Sequence, residues 1–358
     1  MNASPTITAD VAPASARAGG VTLQVVHDTR YDYAAPVAHA HHLAQLQPLQ
    51  DEAQQLQAFE LLVEPSEARC QTELDGLGHG RHRIELVEPH QVLRVRASSQ
   101  VRVWPRFAGL QPEAAPAWES VRERLRYVAR GAFQPAVEFV QPSPYVPWHE
   151  PALAPLRAWA GASLSADRPV AEAALELMHR LHGEWAYQPR STSVDTPLAA
   201  AFQQRSGVCQ DFAHLLIASC RAHGLPARYV SGYLLTEPAP GEPALLGADA
   251  SHAWVQVWCP GTPGVPADGW LDLDPTNNLV PATDHVRVAV GRDFGDVTPL
   301  RGVIRGGGAH TLTVGVTTRR VSSPAADDAV PEAAHAAAPP AVSLVHAPGR
   351  QQAMNLAR

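Results

Sequence analysis

Three side chains far apart in the chain could together carry out nucleophilic catalysis: Cys209, His252 and Asp274. Cys209 stands where a helix should begin. Gly207 supplies a flexible turn before it, and Phe212, Leu215, Leu216, Ser219 and Cys220 recur after it at helical spacing. Gly224 and Pro226 then end the run. A thiol at a helix N-terminus meets the positive end of the helix dipole, which favours thiolate over thiol. A small packed cysteine would suit the same position, so the helix start by itself does not assign chemistry.

The base and its orienter lie on two short strands. Residues 251–258 and 270–274 both alternate, and the Gly/Pro-rich stretch 260–269 joins them. Antiparallel pairing about a loop centred near Pro263 sets His252 opposite Asp274, Trp254 opposite Asp272 and Gln256 opposite Trp270. Period-2 alternation then puts His252, Trp254, Asp272 and Asp274 on one face. A carboxylate beside an imidazole holds its tautomer and stabilises the imidazolium formed next to a thiolate. The expected unit is a Cys209–His252–Asp274 relay. Tyr187 and Gln203 are candidates for an oxyanion donor, beside the backbone N–H of Cys209 at the helix start. Trp254 and Trp258 are candidates for lining or flooring a cleft, with core packing the competing role.

The runs Gly207-Val208-Cys209-Gln210-Asp211-Phe212-Ala213-His214, Ala227-Arg228-Tyr229-Val230-Ser231-Gly232-Tyr233, Asp249-Ala250-Ser251-His252-Ala253-Trp254 and Asp274-Pro275-Thr276-Asn277 resemble, in order and character, the bacterial transglutaminase-like family. The resemblance extends over about residues 21–318. It implies a papain-like α+β core with Cys209 as nucleophile, His252 as base and Asp274 as orienter. Peptide, protein or other amide substrates follow from it. The superfamily includes transglutaminases, proteases, amidases and inactive relatives, so hydrolysis and transfer to an amine both stay open. A catalytically silent peptide-binding module and a histidine-based metallohydrolase are the alternatives.

These residues need a scaffold, and 358 residues are enough for two domains with a real core. Residues 21–104 alternate in short strands and read as an N-terminal antiparallel β-sandwich or barrel-like domain, matching by resemblance the domain that precedes this family's core. Its Gly78-His79 turn departs from the family's usual Gly-Asn. Residues 105–155 are a Pro-rich linker with one helix around 118–130. Residues 156–320 form the catalytic core, in which Thr196 and Pro197 read as N-cap and N1 of a helix. The loop 236–248 is expected to rim the cleft, and 285–290 and 310–318 are further strands. Gly306, Gly307 and Gly308 mark a turn. Residues 1–20 and the Ala/Pro-rich 321–358 read as a disordered leader and tail.

A formal net charge of −7 offers no broad basic surface for nucleic acid, and no apolar run is long enough to span a bilayer. The leader lacks the basic start and apolar stretch of a signal peptide, and Cys70, Cys209, Cys220 and Cys259 have no CxxC spacing. These features together give a cytoplasmic expectation. The histidines include a cluster at His39, His41 and His42 and a pair at His79 and His82, yet no HExxH or zinc spacing appears. No metal, calcium site or other cofactor is expected.

Overall fold

The computed structural model describes residues 19–237, 245, 247 and 250–321, and the backbone of the strand Val342–Val345. The expected rim loop at 236–248 falls largely outside these residues. So do the leader up to residue 18 and most of the tail.

Five strands come first: β1 (Val21–Ala44), β2 (Gln54–Glu64), β3 (Arg69–Leu74), β4 (Gly80–Leu86) and β5 (His90–Val103). Alternation places Leu23, Val25, His27 and Thr29 of β1 inside. The first half of β1 pairs antiparallel with β5, which carries β2, and its second half pairs with β4, which carries β3. The halves meet at Ala34, Ala35 and Pro36, where proline has no N–H for the ladder and the sheet curls. The β3–β4 turn is held by Asp75, whose carboxylate accepts the N–H groups of Leu77 and His79 and the His79 ring at 2.8–2.9 Å. Gly78 sits there at φ +82°, so the turn closes without the family's Asn.

The linker is a chain of short turns. Its α1 covers only Trp118–Glu123, less than the expected 118–130. Beyond it the backbone tightens into Arg122–Leu125 and Glu123–Arg126 bonds and reverses at Arg130, φ +63°. Trp118, Val121, Phe139, Val146 and Leu153 nevertheless lie buried in the large hydrophobic core. Buried Arg221 fastens this wrapping, donating to the carbonyls of Gln141, Ala227 and Arg292 and to the Ser143 hydroxyl.

The core follows as α2 (Ala154–Gly161), α3 (Val170–Glu184), β6 (Ala186–Tyr187), α4 (Leu198–Gln204), β7 (Ser206–Gly207), α5 (Cys209–Arg221), β8 (Ala227–Leu234), β9 (His252–Trp258), β10 (Trp270–Leu273) and β11 (His285–Gly291). Pro197 takes the N-cap of α4, not Thr196. The Thr196 hydroxyl instead accepts the Ser193 N–H at 2.9 Å and closes the preceding turn. The sheet order is β10-β9-β8-β11. α5 lies between this sheet and α2, α3 and α4, with Phe212, Leu215, Leu216, Ile217 and Cys220 all buried. Each such large apolar side chain stabilises the fold by roughly 1.5–3 kcal/mol, so the helix start that carries Cys209 is anchored along its length.

The β9–β10 register differs from the expected one by two residues. Asp272 faces Gln256 and Trp270 faces Trp258. A shift of two keeps every side chain on its expected face, so His252 and Asp274 still share one.

After β11 come α6 (Phe294–Val297), β12 (Leu300–Gly306), β13 (His310–Arg320) and β14 (Val342–Val345). The strands between residues 300 and 320, read from the sequence as part of the core, pair instead with β1. β13 covers residues 23–33 and β12 covers 37–44. At the end of β12 and in the turn after it, Gly306, Gly307 and Gly308 all take positive φ. β14 lies antiparallel beside β13. The result is an α+β architecture, a curled antiparallel sheet joined to a papain-like core of helices on a four-stranded sheet.

Candidate active site

Cys209 is the first residue of α5 and is only partly covered, whereas Cys220 and Cys259 are buried and Cys70 is exposed on β3. Asp211 fixes the approach. Its Oδ2 accepts the Val208 N–H at 2.8 Å and the Thr192 hydroxyl at 2.5 Å. The first amides of α5 have no intrahelical acceptor and present a positive pole beside Cys209. Burial raises the Asp211 carboxyl, offset in part by Thr192 and Val208. The Cys220 thiol, by contrast, is pushed up to about 12 by burial and serves the core.

His252 opens β9 with its ring almost wholly buried. Its Nε2 meets Asp274 Oδ2 at 2.9 Å. An ionised carboxylate only accepts, so Nε2 carries the proton. The opposite nitrogen, Nδ1, has no hydrogen-bond partner among the described residues. Burial works against the imidazolium, but the Asp274 charge and hydrogen bond, with a contribution from the Cys209 thiol, push His252 up to about 10. Burial would likewise raise Asp274, yet His252 and His285 hold it well below the usual carboxylate range. Asp274 also accepts the N–H groups of Thr276 and Asn277 and the Asn277 amide at 2.8–3.2 Å.

Tyr187 lies on β6, paired with Gly207 two residues before Cys209. Gly247, φ +81°, borders both Tyr187 and His252: a Cβ there would stand 3.1 Å from His252 Nδ1 and 3.5 Å from the Tyr187 hydroxyl. Trp254 is fully buried, stacked on His252 at 6.1 Å and edge-on to His285 at 5.1 Å, so it walls in the imidazoles. Gln203 is exposed on α4, and among the described residues no hydrogen bond joins it to Cys209, His252 or Asp274. Trp258 is buried, its Nε1 donating to the Asp268 carbonyl.

Sequence reasoning saw His285 only as a strand start. Its Nε2 reaches Asp274 Oδ2 at 3.1 Å and its Nδ1 reaches Asp284 Oδ1 at 2.7 Å. His252, Asp274 and His285 thus form a cluster whose ligand-type atoms lie within 4.8 Å of one another. A register that set β11 beside β8 would have been needed to find it. His79, His42 and His82 behave as structural groups. His79 is held by Asp75 and accepts the Val290 N–H, and burial pushes His42 and His82 down to about 4. Among the described residues no helix is long and apolar enough to cross a membrane.

Comparison with known proteins agrees with this architecture. Residues 157–275 match the transglutaminase-like superfamily, and residues 23–102 match the bacterial transglutaminase-like N-terminal region. An uncharacterized protein of Mycobacterium tuberculosis is 37% identical over 287 residues, spanning 78% of this chain and 87% of its own length. One from Mycobacterium leprae is 30% identical, spanning 84% and 99%. A candidate cysteine protease of Cytophaga hutchinsonii superposes with TM-score 0.63 at 21% identity, over 88% of this chain and 94% of that one.

The cytoplasmic expectation does not stand. The periplasmic domain of TgpA from Pseudomonas aeruginosa is among the similar structures, at 21% identity over 71% of this chain and TM-score 0.29. Unpaired cysteines and a polar leader never fixed a compartment, because neither excludes export. Both halves of the chain match, and relatives share most of its length, so the protein belongs to the bacterial transglutaminase-like superfamily.

Proposed function

We propose that the protein is a thiol enzyme acting on amide or peptide bonds through Cys209, His252 and Asp274. The observation that carries this reading is the one-sided engagement of the buried His252 ring, to whose raised pKa the Cys209 thiol also contributes. Nε2 is bound to Asp274, while Nδ1 is left for the thiol at the start of α5. The Cys209 thiolate adds to the carbonyl carbon, and the helix-start amides receive the oxyanion. Collapse breaks the C–N bond as His252 gives its Nδ1 proton to the departing amine, leaving an acyl-thioester. Water or a second amine then attacks. His252 takes its proton, and the thiolate is released with the acid or the new amide. Tyr187 borders the same space and is a candidate for contacting the substrate or its oxyanion.

The test is incubation with a peptide library, with and without an added primary amine, followed by mass spectrometry. Hydrolysed products mean peptidase or amidase, and amine adducts mean transferase. Loss of both in Cys209→Ala supports the nucleophile, whereas retained turnover there rejects it. A protein that turns over nothing yet retains peptides is the silent binding module.

The His252–Asp274–His285 cluster favours a second reading, a metal centre. Two features weigh against it. Both imidazole Nε2 atoms already donate to the same Asp274 oxygen, and all three side chains are almost wholly buried. Stoichiometric metal in purified protein, with activity lost to a chelator and restored by the ion, would establish that reading instead.

A further inference from the structure

Both nitrogens of the His285 ring face carboxylate oxygens, at 3.1 Å on Asp274 and 2.7 Å on Asp284. The ring itself is buried, 2% exposed on its side chain. A neutral imidazole has one N–H and one lone pair, and a lone pair aimed at a carboxylate repels it. Both bonds form together only when the ring is an imidazolium. Burial opposes that charge, and Asp274 and Asp284 overcome it, so the pKa of His285 lies above its ordinary value.

Asp274 is the carboxylate that bonds the His252 ring. From β9 the His285 ring faces His252 and Trp254. From β10 and the turn after it come Asp272 and Asp274, and Asp284 precedes its own strand. A narrow cavity beside it is lined by Asp272, Arg106 and Arg287. Both arginines are paired to Asp51. His285 is therefore the cation in direct contact with the carboxylate that His252 depends on.

We propose that His285 is a positioning residue that weakens the hold of Asp274 on His252, so that the His252 imidazolium can release its proton to the leaving group. The proposal rests on the Cys–His–Asp reading above. A general acid works best with a pKa near the operating pH. Asp274 left to His252 alone would hold the imidazolium more firmly. A second cation with its ring centre 6.2 Å away opposes that charge. It also takes a share of the same Oδ2.

The experiment is nitrogen NMR of the histidine rings in the full chain, in a Cys209→Ala background so that the titration belongs to His252 without a coupled thiol. His285 is expected to stay protonated from pH 5 to 9, and in Asp284→Asn its midpoint should fall into that range. In His285→Gln the His252 midpoint should rise by about one unit or more. A His285 that is neutral at pH 7, or a His252 midpoint that stays or falls in folded His285→Gln, overturns the proposal. A residue that only braces the fold would lower the melting temperature without moving that midpoint. Should His285→Gln not fold, the Asp284→Asn titration decides alone. The underlying triad is tested separately, with Cys209 intact: if His252→Ala leaves iodoacetamide labelling of Cys209 unchanged, the triad fails whatever the NMR shows.

Discussion

The Asp211 carboxylate accepts the N–H of Val208 at 2.8 Å, three residues back and next to Cys209. It thereby satisfies a donor at the helix start and holds the turn that aims the thiol. Asp211→Ala should lower stability by about 1–2 kcal/mol and slow iodoacetamide labelling of Cys209. Thermal melts and peptide mapping check both, and unchanged labelling would mean that the turn is set elsewhere.

Labelling should also sort the four cysteines. Native protein is expected to label at Cys209 and at exposed Cys70 and to spare buried Cys220 and Cys259. The Cys209 rate near neutral pH should drop in His252→Ala while the Cys70 rate stays put. Equal rates at Cys209 in both proteins would separate the thiol from the imidazole.

Asp274→Asn keeps shape but removes the charge beside His252. Turnover is expected to fall by about 100- to 10,000-fold. There is a stability signature as well. His252 rises on folding from 6.5 to about 10. Its contribution is fully present below 6.5 and is lost as pH climbs through about 10. The wild-type melting temperature should therefore decline across that window more steeply than that of Asp274→Asn, and parallel curves would refute the coupling.

Asp272 makes the opposite case. It sits on the same face, but its Oδ1 has no partner among the described residues, and burial pushes it up to about 6. Raised on folding, it costs stability once ionised, so the cost is absent below about 4 and complete above about 6. Asp272→Asn should stabilise the protein at pH 8 by about 2–3 kcal/mol and little at pH 4, with Cys209 labelling nearly unchanged. Equal gains at both pH values would show that the effect is not ionisation.

Gly232 on β8 lies under Trp254. A Cβ there would meet the Val286 carbonyl at 2.1 Å and the indole at 2.5 Å. Gly232→Ala should cost about 1–3 kcal/mol and disturb the wall around His252, read as a lower melting temperature with slower turnover.

How much of this was legible in the sequence depended on range. The helix at Cys209 could be read because its signals are local: apolar spacing, Gly207 before and Gly224 after. Period-2 alternation put His252 and Asp274 on one face, and that survived a register error of two. The error arose because a ten-residue Gly/Pro loop does not fix where pairing starts; here Cys259 N–H meets the Gly269 carbonyl. His285 was invisible because its role depends on β11 lying beside β8, more than fifty residues earlier. Gln203, exposed on α4, shows the converse limit, since closeness in sequence to Cys209 does not fix which side of a helix a residue takes.

β1 is made at the start of the chain, yet one of its edges is covered by strands that follow the catalytic core. During synthesis that edge must stay open until residue 320 has emerged, with the whole thiol-bearing unit produced in between. Pairing across nearly three hundred residues is slow to close, so a chain stopped anywhere before β12 would present an unprotected strand to its neighbours. β12 and β13 thus act as a seal on the edge of β1, and truncated products should be recognisable by aggregation before any loss of chemistry is measured.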